Sequence, residues 1–480
     1  ALRGDFNSWN ETAMSRDTAT GYWSVTHTAA RPGQEYKYFL RWAGNSNGVW
    51  KNDPRAFWIR NGNSVIYDQD AFDWGANYSR PNIPVDQQVM YEMHIGTFYD
   101  ADPTDGHPGT FNNATARLDY LQRLGVNVIA LMPVNEFGGD LSWGYNPSYP
   151  FAIESAYGGP DGLKSFVLAA HQKGIQVQLD VVHNHWNPPP EGMWEFDGTN
   201  NIYFYGDEPL GWTDWGRRPN YSQPEVQRFI RDNIEMLLRD FHIDGLRWDS
   251  PQNILGYDTN ATKSTISNNL VYKIGNPQTV IPEGKSLMTE INRMIRTNSG
   301  YTNRWSVAED AELLVPVLVA NYPTNSFLGQ LQVTNTNETF HGHWQTSFHN
   351  TITPEIASNN PSVETILGKV NGWSEPPGYR VIFTDNHDKS GILNGSMRLA
   401  NRMDLNDPTG LIARKKTLLN AVLTLTAPGT PMLWMGQEFH ATGSFDDSVR
   451  INWREASSQH RIFRAHRDLI DLRKNQAALQ

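Results

Sequence analysis

The sequence predicts an α/β fold: a (β/α)8 TIM-type barrel preceded by a small β-sandwich module. Three observations predict it. From Val89 onward, short apolar runs alternate with stretches of helical period, which implies parallel strands joined by helical crossovers. Four of those runs stop at charged or histidine residues: Asp180 to His185, Asp244 to Asp249, Ser306 to Glu309, and the run before Asn386-His387-Asp388. That is the pattern of a barrel presenting functional groups at the carboxyl ends of its strands. The first 80 residues instead show short alternating stretches separated by turn-formers. A doubly wound sheet is the alternative that the same strand-helix repeat allows.

The chain has 480 residues, enough for a barrel of about 250 residues or more and a companion module. We place the module at residues 1–82 and the barrel at 83–480, with Pro81 and Pro84 in the linker between them. In the module, Tyr36-Lys37-Tyr38-Phe39-Leu40-Arg41-Trp42 alternates with period two, and Pro32-Gly33, Gly44-Asn45 and Asn61-Gly62 mark turns.

The barrel strands are expected at Val89 to Thr97, Val126 to Pro133, Ile175 to His183, Gly245 to Asp249, Trp305 to Ala308, Trp344 to Phe348, Tyr379 to Phe383 and Pro431 to Met435. Helices are expected at 115–124, 162–173, 286–296 and 411–425. The clearest helix follows Pro224: Val226, Phe229, Ile230, Ile234, Leu237, Leu238 and Phe241 recur at three- and four-residue spacing, behind Ser222 as N-cap.

Composition excludes several functions. A formal net charge of -11, with no clustered Lys and Arg, argues against a nucleic-acid partner. No apolar stretch reaches the ~18 residues of a membrane span. Cysteine is absent, so disulfides, thiolate metal sites and cysteine nucleophiles are excluded. The start at Ala1 reads as trimmed, and a cytoplasmic setting is expected in the absence of a signal-like segment. The 17 Trp, 19 Tyr and 20 Phe suit a protein that grips the apolar faces of sugar rings, although core packing accounts for most of them.

The strand-end carboxylates suggest a chemistry. Cleaving a glycosidic bond with retention needs two carboxyl groups ~5–5.5 Å apart, one a nucleophile and one an acid and then a base. Asp249 is the candidate nucleophile, because Arg247, two residues earlier and so on the same strand face, is placed to lower its pKa. Glu309 is the candidate acid/base, with Asp310 beside it to raise its pKa. Asp388 would bind sugar hydroxyls and favour an oxocarbenium-like transition state, and His185 and His387 could donate to the same sugar. A single strand-end aspartate usually caps the next helix; joint occurrence on successive strands is what gives these residues weight.

His183 and His185 point to one strand face, but no third zinc ligand accompanies them, so no metal site is assigned. Calcium through Asn184 is the remaining option for a structural ion, and no cofactor is expected.

At these residues the sequence resembles the α-amylase superfamily, glycoside hydrolase family thirteen. Its four signature regions match Asp180 to His185, Gly245 to Asp249, Ala308 to Asp310 and Asn386 to Asp388, in the family's order. The resemblance implies the same three carboxylate roles, sugar contacts by His185, Arg247 and His387, and supporting positions for Asp180 and Asn184. Tyr91 to Phe98, Leu131 to Phe137, Trp143 to Pro147 and Met435 to Phe439 are similar to glycogen branching enzymes and the related trehalohydrolases. Within them Tyr145 matches the tyrosine that stacks on the sugar at the cleavage point.

Gly4-Asp5-Phe6-Asn7-Ser8-Trp9 resembles the start of a glycogen-type carbohydrate-binding module. His183 stands where branching enzymes commonly have Tyr, and Asn386-His387-Asp388 is closer to amylases. The family's β-sandwich after the barrel is expected to be missing before Gln480.

The resemblance therefore implies an α-glucan partner such as glycogen, starch or a malto-oligosaccharide, with no implication for oligomeric state. Branching, in which a sugar 6-hydroxyl receives the cleaved chain, is the leading expectation. Hydrolysis as in an α-amylase or trehalohydrolase is the alternative. A glycan-binding protein without catalysis would typically have lost one of the three carboxylates.

Overall fold

Eight parallel strands close into a barrel in the computed structural model, which describes residues 1–102, 104–187, 192–198, 202–206, 209–259, 262–266, 269–273, 279–309, 339–371, 380–458 and 460–479. The strands are β1 (Met90–Met93), β2 (Val128–Leu131), β3 (Gln176–Val181), β4 (Gly245–Trp248), β5 (Trp305–Ala308), β6 (Gly342–Trp344), β7 (Arg380–Ile382) and β8 (Thr430–Trp434). Each pairs with the next, and β8 pairs with β1. The sheet is thus a closed barrel, not the doubly wound alternative.

Alternation along the strands separates two apolar layers. Met90, Val128, Trp305, Val307, Trp344, Val381, Phe383 and Met432 form one buried cluster, as expected for side chains filling a barrel interior. A larger cluster, which includes Tyr91, Ile129, Leu131, Leu179, Leu246 and Trp248, packs with the helices.

Helices fill the connections: α1 (Leu118–Leu124), α2 (Gly159–Gln172), α3 (Pro224–Arg239), α4 (Pro282–Thr297), α5 (Thr346–Ala357), α6 (Leu411–Thr426) and α7 (His460–Asn475), with α1, α2, α3, α4 and α6 where periodicity predicts them. In α3 all six apolar positions from Val226 to Leu238 named above are buried, and Phe241 just beyond its end is buried too.

Three local expectations need correction. The first strand stops at Met93 and not at Thr97, because Ile95–Phe98 forms a short helical turn. Gln223, not Ser222, occupies the N-cap of α3 and makes no side-chain cap bond. Pro224 at the first helical position presets the turn, and Ser222 Oγ donates instead to Asn220 Oδ1 at 2.6 Å. The sixth strand ends at Trp344 rather than starting there, because Thr346 opens α5 and Phe348 is buried on that helix. Tyr379, the expected start of the seventh strand, lies outside the described residues.

In the N-terminal part, Leu2–Gly4, Glu35–Trp42, Asn45–Lys51, Ile59–Arg60 and Asn63–Val65 form a five-stranded antiparallel sheet, and Ser15–Arg16 pairs with Trp23–Ser24. These sheets make up the small β-sandwich module. The hairpin at Asn61-Gly62 has positive φ at both positions, 52° and 73°, as a two-residue turn matched to strand twist requires.

The module is tied to the barrel. Asn52 Nδ2 donates to Tyr149 Oη at 3.0 Å, Tyr67 Oη to Asp161 Oδ1 at 2.6 Å, and Ala56 and Ile59 cluster with Ala152. Among the described residues no helix is long and apolar enough to cross a membrane.

The linker is also bound. Asp244, buried just before β4, accepts from Arg80 Nη1 at 2.9 Å and from the Val177 backbone N at 2.7 Å, and faces His171 Nε2 of α2 at 2.8 Å. Asp244→Ala would leave these donors without their acceptor at the barrel floor. The expected cost is about 3 kcal/mol, read as a fall of several degrees in the thermal unfolding midpoint. An unchanged midpoint would refute this role.

Candidate active site

Three neighbouring strands end at one level. Asp180 pairs with Arg247 across β3 and β4, and Arg247 with Val307 across β4 and β5. The ladder continues past the strand ends, with Asp249 N donating to Val181 O at 3.1 Å and Glu309 N to Trp248 O at 3.0 Å. Register alone therefore brings Asp180, Arg247, Asp249 and Glu309 together at the carboxyl end of the barrel.

The Arg247 guanidinium lies among the three carboxylates. Its Nη1 is 2.7 Å from Asp180 Oδ2 and 3.4 Å from Asp249 Oδ1, and its Nη2 is 2.8 Å from Glu309 Oε1. Trp344 packs against it, 4.4 Å from the ring centroid. Arg247 reaches Asp249 as expected, but its shorter contacts are to Asp180 and Glu309. The physical reason is reach, since a planar fork splayed between two neighbouring strands meets groups on either side more directly than one two residues along its own strand.

Asp249 is held by a second donor. Asn184 Nδ2 lies 2.7 Å from both the Asp249 backbone O and its Oδ2. Burial pushes the Asp249 carboxyl up and Glu309 adds to this, while Arg247 and Asn184 pull it down; the outcome is about 8. This corrects the expected downward shift: removal from water outweighs the guanidinium.

Ser250, the next residue, has a φ of 40°, a left-handed conformation costing about 1–3 kcal/mol in a non-glycine residue. Ser250 donates its backbone N–H to Glu309 Oε2 at 2.7 Å, so strain beside the candidate nucleophile accompanies a contact that positions the candidate acid. Asp310, expected to act on Glu309, lies outside the described residues.

Tyr145 reaches in from the loop after β2 and donates to Asp180 Oδ2 at 2.6 Å. Gly144 before it has a φ of 92°, and a Cβ there would stand 2.3 Å from Pro133 O. Only glycine lets the loop lie this close to the strand end. The Tyr145 ring stacks on His387 at 5.0 Å and 24°. His185 is buried with Nδ1 on Asn184 Oδ1 and Nε2 2.7 Å from Tyr145 O, so a sugar contact at Nε2 would replace that bond. Burial pushes its pKa down to about 4.

On the other side, His387 Nε2 lies 3.5 Å from Asp388 Oδ1, and Asn394 Nδ2 donates to the same oxygen at 3.1 Å. Burial raises the Asp388 pKa, but His387 and Arg247 outweigh it and hold the carboxyl below its ordinary value. His387 Nδ1 faces Glu92 Oε1 at 2.5 Å.

The structure brings all eight sequence-predicted residues, Tyr145, Asp180, His185, Arg247, Asp249, Glu309, His387 and Asp388, to one end of the barrel. Most line or border a cavity of about 620 Å³. Trp143, Trp215, Leu393 and Asn394 also line it; Trp215, Leu393 and Asn394 escaped sequence reasoning, while Trp143 and Glu92 lay within flanking motifs without an assigned role. The available signal for Glu92 was a lone acid inside an apolar strand.

His183 and His185 do not share a ligand site. His183 Nε2 faces Asn233 Oδ1 at 3.0 Å, and Asn184, considered for calcium, directs its amide oxygen at His185. Among the described residues no group of three or more His, Asp or Glu side chains converges as a metal site would.

A closed parallel barrel with a carboxylate-lined cleft at its strand ends defines the class, a (β/α)8-barrel enzyme. Residues 92–189 and 189–474 match the alpha-amylase catalytic domain, and the chain belongs to that family of enzymes, glycoside hydrolase family thirteen. It is 31% identical to a malto-oligosyltrehalose trehalohydrolase of Rhizobium sp. (strain M-11) over 88% of this chain and 66% of that one. It is 36% identical to the 1,4-alpha-glucan branching enzyme GlgB of Nitratidesulfovibrio vulgaris (strain Hildenborough) over 54% of this chain and 42% of that one. The chain thus spans less than two thirds of the length of each of these two relatives. A pullulanase of Anoxybacillus sp. LM18-11, solved with maltotriose, shares the fold with a TM-score of 0.75 and 23% identity over 100% of this chain and 70% of that one.

The raised Asp249 pKa has a consequence for stability. An unfolded Asp titrates near ~3.9, so between about pH 4 and about 8 the folded state keeps a proton that the unfolded chain releases. The folded form therefore loses stability as pH rises through this window. Asp249→Asn, which cannot ionise, is expected to raise the thermal midpoint relative to the parent at pH 8 and much less at pH 4. An equal difference at both pH values would contradict the shift.

Proposed function

We propose that the protein is a retaining enzyme acting on α-glucans, with Asp249 as nucleophile, Glu309 as acid and then base, and Asp388 as transition-state stabiliser. The observation that carries this reading is the placement of Asp249 and Glu309 on adjacent strand ends around one guanidinium, at the base of an open cavity.

In the first step an Asp249 oxygen attacks the anomeric carbon. The glycosidic C–O bond breaks, and the Glu309 proton goes to the leaving oxygen. Glu309 must leave Arg247 to deliver that proton, and a sugar ring entering between the two carboxyls supplies the displacement. In the second step Glu309 takes the proton from an acceptor hydroxyl, whose oxygen attacks the same carbon and releases the Asp249 carboxylate. Tyr145 and His387, already stacked, offer a ring face to the sugar. The chemistry as written needs no cofactor, and the cytoplasm is its expected setting.

For the acceptor, we propose a sugar 6-hydroxyl, which makes the enzyme a 1,4-α-glucan branching enzyme. Support comes from the flanking motifs and from the exposed Trp215 and Leu393 lining the cavity, apolar surface on which a second glucan can lie. The second reading is water, favoured by the trehalohydrolase relatives that align with most of the chain.

Incubation with amylose separates the two. New α-1,6 linkages without a matching rise in reducing ends are expected, whereas reducing ends alone would establish hydrolysis. Asp249→Ala should lower either activity by about 10⁴-fold or more; full activity in that variant would overturn the site assignment.

A further inference from the structure

We propose that Glu92 is a positioning residue of this site, orienting the His387 ring and presenting its Nε2 as a donor toward Asp388 and the bound sugar. The assignment rests on the glucan-cleaving reading of the cleft and deepens it. Glu92 sits in β1 with 1% of its surface exposed, and both its carboxylate oxygens go to one residue. Oε1 faces His387 Nδ1 at 2.5 Å, and Oε2 accepts from the His387 backbone N at 3.1 Å. The Glu92 backbone pairs with Trp434 of β8, and its O accepts from Met435 N at 3.1 Å. The side chain therefore reaches past a whole strand to hold the first turn after β7.

Packing leaves the ring little other choice. Tyr145 stacks on one face at 5.0 Å, while Trp143, Trp344 and Trp434 meet it at 6.0, 6.2 and 6.4 Å. Nδ1 points at Glu92 and Nε2 at Asp388. An amide at position 92 could orient the ring through one hydrogen bond. A carboxylate also stabilises the second ring proton, without which Nδ1 and Nε2 cannot both donate.

The charged groups around His387 are Glu92 on β1, Asp388 beside it, Arg247 on β4 and Asp180 on β3, with His94 beyond β1. Burial pulls the His387 pKa down, but Asp388 and Glu92 raise it to about 9 against the opposition of Arg247. The ring is thus a cation at neutral pH and loses its charge as pH rises through about 9.

The test uses the whole protein with ¹³C-labelled histidine rings and NMR titration, His387→Asn identifying the resonance. In the parent the His387 ring is expected to stay protonated to about pH 9. In Glu92→Gln its titration should fall by at least one pH unit, with the alkaline limb of the malto-oligosaccharide pH–rate profile moving down in step. The kcat should drop about tenfold to hundredfold while KM changes little. Glu92→Asp, which keeps the charge, should restore part of the titration shift even where Glu92→Gln folds poorly.

An unmoved His387 titration in Glu92→Gln, or loss of activity that follows only a lowered thermal midpoint with an unaltered pH profile, would overturn the proposal. The ring titration needs no substrate. A parent inactive on glucans would therefore count against the functional reading alone, while the NMR result still decides the role of Glu92.

Discussion

Arg247 enters the cleft with 3% of its side chain exposed, and three carboxylates from neighbouring strand ends converge on it. Asp180, Asp249 and Glu309 would repel one another without it, and a bare guanidinium in this setting would be costly to bury. The cation and the strand register are mutually dependent. A slip of one residue would turn Arg247 out of the barrel and remove its partners with it. Trp344 behind the guanidinium and Tyr145 on Asp180 complete the packing.

That arrangement is not electrically balanced. Among the described residues, Arg247 and His387 face five carboxyl groups: Glu92, Asp180, Asp249, Glu309 and Asp388. Burial first, and the neighbouring Glu309 carboxyl second, raise the Asp249 pKa to about 8 despite two donors. On the function proposed above, this excess of carboxyl groups would favour a substrate that becomes cationic at the anomeric carbon, as an oxocarbenium-like transition state does.

How much of this was legible in the sequence depended on whether a residue broke a local pattern. Asp249 and Glu309 end apolar runs, so their placement at strand ends followed from period and length. Arg247, two residues before Asp249, had to share its face. The partners of Arg247 were not legible, because choosing Glu309 over Asp249 depends on side-chain reach across strands whose register only the folded sheet fixes. Glu92 was read as part of a strand motif, since its partner lies 295 positions away. The misplaced sixth strand had a similar cause: Trp344 and Phe348 are both apolar and both buried, one inside the barrel and one on a helix, and periodicity over five residues does not separate a strand end from a helix start.

The division of labour in the cleft follows from these forces. The carboxylates, Arg247 and His387 are constrained by charge and register. The cavity mouth is constrained by neither. Trp215, 53% exposed and tilted against His185 at 5.7 Å, and Leu393, 73% exposed on the segment after β7, present apolar surface just outside the charged floor. On the function proposed above, such a rim would bind the C–H face of an arriving sugar and reduce the water ordered near the intermediate in the same act. The choice between a sugar and water as acceptor then falls to this mouth and not to the charged floor.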